Sequence, residues 1–311
     1  YLFDERVRRR DQIVVKCVKV TFPLTQPYNL GETLFSGQAF RWSIENPSDP
    51  KVNYQGIIYG RRVSLIQEQQ TIIAKITLER TDPISEPDIR DLVGSYLRID
   101  DDLESFYARS AADEYLQSSI DQYKGLHLLR QEPWECLVTF ICSANNNIPR
   151  IRLLVDRISK ACGKAITDSQ GTYYSFPPPR EIAMLGESGL RELGLGFRAK
   201  YVNHAAQAIS RGEINLENLR ESEYEETYQS LISLYGVGDK VANCVMLFSL
   251  DQDNSFPVDV WIRRVLREKY VPNGEAVPEA QLRIWAQNKF GIDSGYVNQY
   301  LFQRRRLERK T

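Results

Sequence analysis

The chain has 311 residues, 42% of them hydrophobic and 26% charged, with 40 Lys+Arg against 41 Asp+Glu and a formal net charge of −1. Such a chain can bury a sizeable core in one large domain or two to three packed ones, and wholesale disorder is excluded. No apolar run nears the roughly 20 residues of a membrane helix, and near-neutral charge gives no overall bias toward nucleic acid. The opening, YLFDERVRRRD, is too charged for a secretory signal, so an intracellular protein without membrane contact is expected. Tyr1 in place of Met points to a trimmed or processed form, and RVRRR makes residues 1–11 a basic tail. From Gln12 to about Glu79, short alternating segments (QIVVKCVKVTF, FRWSIE, VNYQGIIYG, RRVSLIQE, TIIAKITLE) separated by Gly, Asn and Pro predict an antiparallel sheet. From Glu86 the apolar period becomes helical, in about ten segments running from EPDIRDLVGSYLRI and a single DLESFYARSAADEYLQSSI (Asp102 to Ile120) to EAQLRIWAQNKF, and GYVNQYLF is a further helical apolar pattern. TDSQGTYYSFPPP, from Thr167 to Pro179, is the clearest irregular stretch, and QRRRLERK at 303–310 is a second basic cluster. The expected fold is α+β, mainly α: a sheet domain over 12–122 with trailing helices, packed on an all-helical region over 123–311.

The five cysteines, Cys17, Cys136, Cys142, Cys162 and Cys244, are odd in number and scattered, which fits a reducing compartment. With no CxxC pair and only two His, neither zinc nor an iron–sulfur cluster is expected, and no cofactor is predicted. The informative stretch is SEYEETYQSLISL followed by YGVGDKVANCVMLFSL, a helix, a tight Gly turn and a second helix over about 224–250. Gly236 and Gly238, with Val237 between them, allow a turn whose following helix aims unpaired N–H groups outward, a phosphate clamp that needs no basic side chain. A plain αα-hairpin explains the glycines equally well, because GxG alone is weak. Lys240 sits poorly at a helix N-terminus, and Cys244 lies one turn further on the same face. Asp259, nineteen residues past Lys240, directly precedes an apolar-periodic helix and reads first as its N-cap.

LYGVGDKVANCVMLFSL plus FPVDVWIRRV resembles the helix-hairpin-helix DNA glycosylases with a Gly/Pro-rich loop and a catalytic Asp. SGQAFRW (Ser36 to Trp42), LLRQEPWECLVTFICSANNNIPRI (Leu128 to Ile151) and LGLGFRAKYV (Leu193 to Val202) are similar to one branch, the 8-oxoguanine DNA glycosylase/AP lyases. The likeness keeps motif order from about Pro23 to Phe302. It implies that Lys240 attacks C1′ of the damaged nucleotide, releases the base and forms a Schiff base that permits strand cleavage by β-elimination. Attack requires the neutral amine, and tight pairing with a carboxylate opposes it, so Asp259 is expected to cap its helix and act electrostatically. Asp239 is expected to point to solvent.

A base inside a duplex must be flipped to be reached. 8-Oxoguanine carries N7–H where guanine has an acceptor, so a backbone carbonyl distinguishes them; the resemblance assigns this to Gly37. It makes Cys244 and Phe302 the base sandwich. Asn298 stands where the family commonly has Gln, so Asn298 and the adjacent Gln299 both remain candidates for the Watson–Crick edge. Asn145, Arg150 and Arg198 match readers of the orphaned cytosine, and Phe197 matches an aromatic wedge. Trp261 replaces a His of some relatives as a phosphate contact, and Tyr235 replaces a Pro in the hairpin. A monomer acting on double-stranded DNA is expected, with a backbone-bound monovalent cation at the hairpin allowed by the resemblance. The competing readings are a monofunctional alkylated-base glycosylase, disfavoured by Lys240, and a non-catalytic DNA-binding module.

Overall fold

A computed structural model describes residues 15–47, 51–79, 81–168, 171–271 and 277–308; the basic tail expected at 1–11 and the end of the 303–310 cluster lie outside them. Alternation of side chains builds the first layer. Strands β1 (Val15–Pro23), β2 (Ser43–Ile44), β3 (Asn53–Ile58), β4 (Arg61–Glu68) and β5 (Thr71–Glu79) form an antiparallel sheet in the order β1-β5-β4-β3-β2. Val18, Val20 and Phe22 stand opposite Ile76, Ala74 and Ile72, and all six are buried on one face. Helix α2 (Glu86–Leu97) covers that face through Ile89, Val93, Tyr96 and Leu97, spaced as one helical stripe. It starts at a capping box formed by Ser85 and Asp88.

Between β1 and β2 lies α1 (Leu30–Phe35), a six-residue helix capped by Asn29, in a break between the predicted strand segments. It delivers the segment Ser36, Gly37, Gln38. The predicted single helical segment from Asp102 to Ile120 is two helices, α3 (Leu103–Ser110) and α4 (Glu114–Gln122), because Asp113 caps the second one afresh. Their Leu103, Phe106, Leu116 and Ile120 are buried in the core of the helical region, so by packing they belong with it and not with the sheet.

The body continues through α5 (Pro133–Cys142), α6 (Ile148–Cys162), α7 (Pro179–Glu192), α8 (Arg198–Ser210), α9 (Tyr224–Ile232), α10 (Asp239–Ser249), α11 (Val260–Val265), α12 (Glu279–Phe290) and α13 (Ser294–Leu307). It is not all-helical: β6 (Ala165–Asp168) and β7 (Gly171–Tyr174) pair antiparallel, overlapping the start of the stretch expected to be irregular. Helix α7 kinks at Gly186, which sits at φ 71°. At the centre α10 is buried on every side from Val241 to Ser249 and packs on α5, itself buried throughout Trp134 and Cys136–Cys142. Among the described residues no helix is long and apolar enough to cross a membrane.

Two buried polar groups join the layers. Gln38 donates to the carbonyl of His127 (2.8 Å), accepts from the Leu129 N–H (2.8 Å), and its own carbonyl accepts from Gln131 (2.8 Å). Arg98 ends α2 in the left-handed region, pairs with Asp101, and donates two 2.7 Å hydrogen bonds to Asp253 beyond α10. Gln38 is buried with its polar groups satisfied, and Arg98 is buried although Asp253 keeps contact with solvent, so removing either residue would leave partners unpaired between the sheet and the helices.

Candidate active site

The turn between α9 and α10 uses its two glycines differently. Gly236 has φ +87°, and a Cβ there would stand 2.2 Å from the Tyr201 ring. Gly238, the N-cap of α10, has φ −101°, and a Cβ there would meet nothing within 4 Å. Gly236 thus answers to packing, whereas Gly238 leaves the N–H end of α10 open to a ligand. Val237 is buried beneath the turn and donates to the Leu234 carbonyl at 3.0 Å. Asp239 does not point to solvent as expected: its carboxylate accepts from Tyr228 (2.9 Å) and pairs with the buried Arg283 at 2.8 Å, bracing the hairpin.

Lys240 is half-buried at the first turn of α10. Its Nζ donates to Ser143 Oγ at 2.9 Å and lies 4.9 Å from the centroid of the Phe140 ring. Cys244 is buried one turn along, where burial pushes its thiol up to about 11 against the opposing pull of the Lys240 charge. Asp259 caps α11, its Oδ1 accepting from the N–H groups of Trp261 (2.9 Å) and Ile262 (2.8 Å). Burial pushes its carboxyl pKa above the usual carboxylate value, opposed by those N–H groups and by the Lys240 charge. Among the described residues no ion pair ties Lys240 to a carboxylate, so the tight pairing that opposes nucleophilic attack is not made.

Helix α13 gathers the other wall. The Asn298 amide donates to the carbonyl of Pro257, two residues before Asp259, at 2.9 Å; the Gln299 amide donates to the carbonyl of Ser36, next to Gly37, at 3.1 Å. Neighbouring amides therefore fix opposite sides of one site. Gly37 has φ +85°, and a Cβ on it would stand 3.0 Å from Phe302 Cε1 and 3.5 Å from Ile148 Cδ1. Only glycine lets this backbone approach the phenylalanine ring so closely.

The LGLGFR segment turns at Gly194 (φ 91°) and Gly196 (φ 60°) and leaves Phe197 44% exposed at the start of α8. The Arg198 guanidinium lies 4.4 Å from the Phe197 ring centroid and reaches the α5–α6 loop: Nε and Nη2 donate to the Ala144 carbonyl (2.8 and 2.6 Å), and Nη2 also donates to that of Asn145 (2.8 Å). Asn145 sits at φ 47°, and Arg150 donates to the Gly194 carbonyl at 3.0 Å. Asn145, Arg150, Phe197 and Arg198 are thus brought together. Trp261, at the start of α11, lies under Arg264 (5.5 Å to the ring centroid) beside a surface cleft that Arg305 also lines.

The family model described as the 8-oxoguanine DNA glycosylase N-terminal domain matches residues 19–137, and that of the HhH-GPD superfamily of base excision DNA repair proteins matches residues 138–287. The N-glycosylase/DNA lyase of Saccharomyces cerevisiae is 30% identical over 263 residues, covering 78% of this chain and 68% of the yeast protein. The chain belongs to the 8-oxoguanine DNA glycosylase family. The Arabidopsis thaliana N-glycosylase/DNA lyase OGG1 is likewise 30% identical over 296 residues, 91% of this chain and 77% of the plant protein. Among solved structures, the Clostridium acetobutylicum 8-oxoguanine glycosylase/lyase in complex with double-stranded DNA containing cytosine opposite 8-oxoG superposes with a TM-score of 0.86 at 30% identity, covering 95% of this chain and 98% of that one.

Family membership leaves three structural partners that the sequence reading missed: Ser143 beside the lysine, Gln38 behind Gly37, and Arg283 behind Asp239. The SGQ motif carried a signal for Gln38, since a buried glutamine demands partners. Ser143 and Arg283 carried none, because their partners are 97 and 44 residues away.

Proposed function

We infer that the protein is a bifunctional base-excision-repair enzyme that flips 8-oxoguanine out of double-stranded DNA, excises it opposite cytosine, and cleaves the strand by β-elimination. The observation that carries the reading is Lys240: a half-buried amine held by a hydroxyl, unpaired with any carboxylate among the described residues, beside Cys244 and within the field of a helix-capping Asp259. In this reading the Nζ lone pair forms a bond to C1′ as the bond from C1′ to the base breaks, and the base leaves with the electron pair and is then protonated. Asp259 stabilises the positive charge that develops on the sugar. Loss of a proton from the nitrogen with opening of the sugar ring gives the Schiff base, which acidifies the C2′ proton whose removal expels the 3′ phosphate.

The Gly37 carbonyl accepts from N7–H of 8-oxoguanine, Cys244 and Phe302 enclose the base, and Asn298 or Gln299 supplies its amide edge. Phe197 fills the gap in the stack while Asn145, Arg150 and Arg198 read cytosine. The hairpin N–H groups of Gly236 and Gly238, with Val237 anchoring the turn between them through its own bond to Leu234, and the Trp261 indole hold phosphates. Lysine supplies the nucleophile, so the chemistry calls for no cofactor; a monovalent cation on the hairpin carbonyls would serve DNA binding alone. Every residue invoked comes from one copy, which favours a monomer, and a DNA substrate favours an intracellular place. Single-turnover assays on duplexes with 8-oxoguanine opposite each base test this: free base and a nicked strand are expected, fastest opposite cytosine. An intact strand after base release, or equal rates at all four, contradicts it.

A further inference from the structure

The segment Ser143, Ala144, Asn145 is gripped from both ends by groups of different function. At one end Ser143 Oγ accepts from Lys240 Nζ at 2.9 Å while donating its own proton to the Phe140 carbonyl at 2.6 Å, so toward the lysine it is an acceptor only. At the other, Arg198 commits Nε and Nη2 to the Ala144 and Asn145 carbonyls at 2.6–2.8 Å, charge-assisted bonds to the two peptides that follow Ser143. Asn145 occupies the left-handed region at φ 47°, and the Asn146 amide returns to the Cys142 carbonyl at 2.9 Å, so the loop has little slack. Nη1 reaches only the Leu195 carbonyl at 3.5 Å, so, resting on the reading that Arg198 reads the orphaned cytosine, a bidentate contact to cytosine, which takes two nitrogens, must draw Nε or Nη2 from the loop.

We propose that Ser143 is a specificity-determining residue: it restrains Lys240 until cytosine takes the donors of Arg198 and releases the 144–145 peptides. Cytosine competes with two carbonyls for one guanidinium, and adenine, with no acceptor pair placed like the O2 and N3 of cytosine, competes poorly. When the peptides loosen, Ser143 moves with them and its hold on Nζ is lost. The opposite base therefore enters the rate of attack on C1′ and not only the affinity for DNA. One hydrogen bond at an amine corresponds to roughly three- to tenfold in rate, which sets the size of the effect.

Single-turnover excision at saturating protein separates rate from affinity. Wild type is expected to react faster opposite cytosine than opposite adenine or thymine even at saturation; equal plateau rates beside a cytosine preference kept at subsaturating protein overturn the proposal and leave the functional reading standing. Ser143→Ala is expected to lower the cytosine preference about fivefold by speeding excision opposite adenine and thymine, and Ser143→Thr, which keeps the hydroxyl, to restore the preference. A ratio left unchanged by Ser143→Ala, or lowered only by slower reaction opposite cytosine, overturns it. If wild type releases no 8-oxoguanine at all, it is the functional reading that fails.

Discussion

At the residue scale, the two hairpin glycines separate packing from binding. Gly236→Ala places a Cβ 2.2 Å from the Tyr201 ring in a left-handed backbone, and is expected to cost about 3 kcal/mol in denaturant unfolding. Gly238→Ala meets open space at an ordinary φ and loses only the N-cap preference of glycine, so stability should fall by no more than about 1 kcal/mol while DNA affinity falls. Equal losses of stability at the two positions contradict this division. Asp259 also has separable roles. Asp259→Asn keeps a good N-cap and removes the charge: unfolding is expected within about 1 kcal/mol of wild type, with excision slowed on the order of 100-fold. Undiminished excision by the Asp259→Asn variant would remove the electrostatic role. The Asp259 cap was legible because Asp before an apolar helix is a local signal. The Asp239–Arg283 pair was not, since an ion pair across 44 residues leaves no mark in spacing.

At the scale of elements, α5 carries a cost at its first turn. Glu132 stands at its N-cap without making a side-chain cap, and burial followed by the neighbouring charge of Glu135 pushes its carboxyl up to about 7. A raised value in the folded state means no penalty below about pH 4.5, where the group is protonated folded or unfolded, and a full penalty above about pH 7. Glu132→Gln is therefore expected to stabilise the protein at pH 8, by up to about 3 kcal/mol, and to do little at pH 4. Chemical unfolding at the two pH values checks it; a pH-independent difference would contradict the burial argument. The long helices such as α10 were legible because their apolar spacing persists over several turns. Helix α1 and the β6–β7 hairpin were not, as six and four residues are too short to establish a period.

At the scale of the whole molecule, the proposed function depends on bringing Gly37, Lys240, Asp259 and Asn298 to one place from remote parts of the chain. Alternation and helical period specify two layers, but nothing in them says that consecutive amides of α13 reach Pro257 and Ser36, or that Gln38 bolts the sheet segment to residues 127–131. Motif order, through family resemblance, supplied the convergence that periodicity lacked. Near-neutral net charge is compatible with the proposed phosphate clamp, which would rely on backbone N–H groups and a few local arginines. The central claim is that Lys240 becomes covalently joined to the sugar, and borohydride reduction during reaction with an 8-oxoguanine:cytosine duplex followed by peptide mapping tests it most directly. The expected result is a stable protein–DNA adduct on Lys240 that Lys240→Gln abolishes; no adduct with wild type, or an undiminished adduct with Lys240→Gln, would contradict the account.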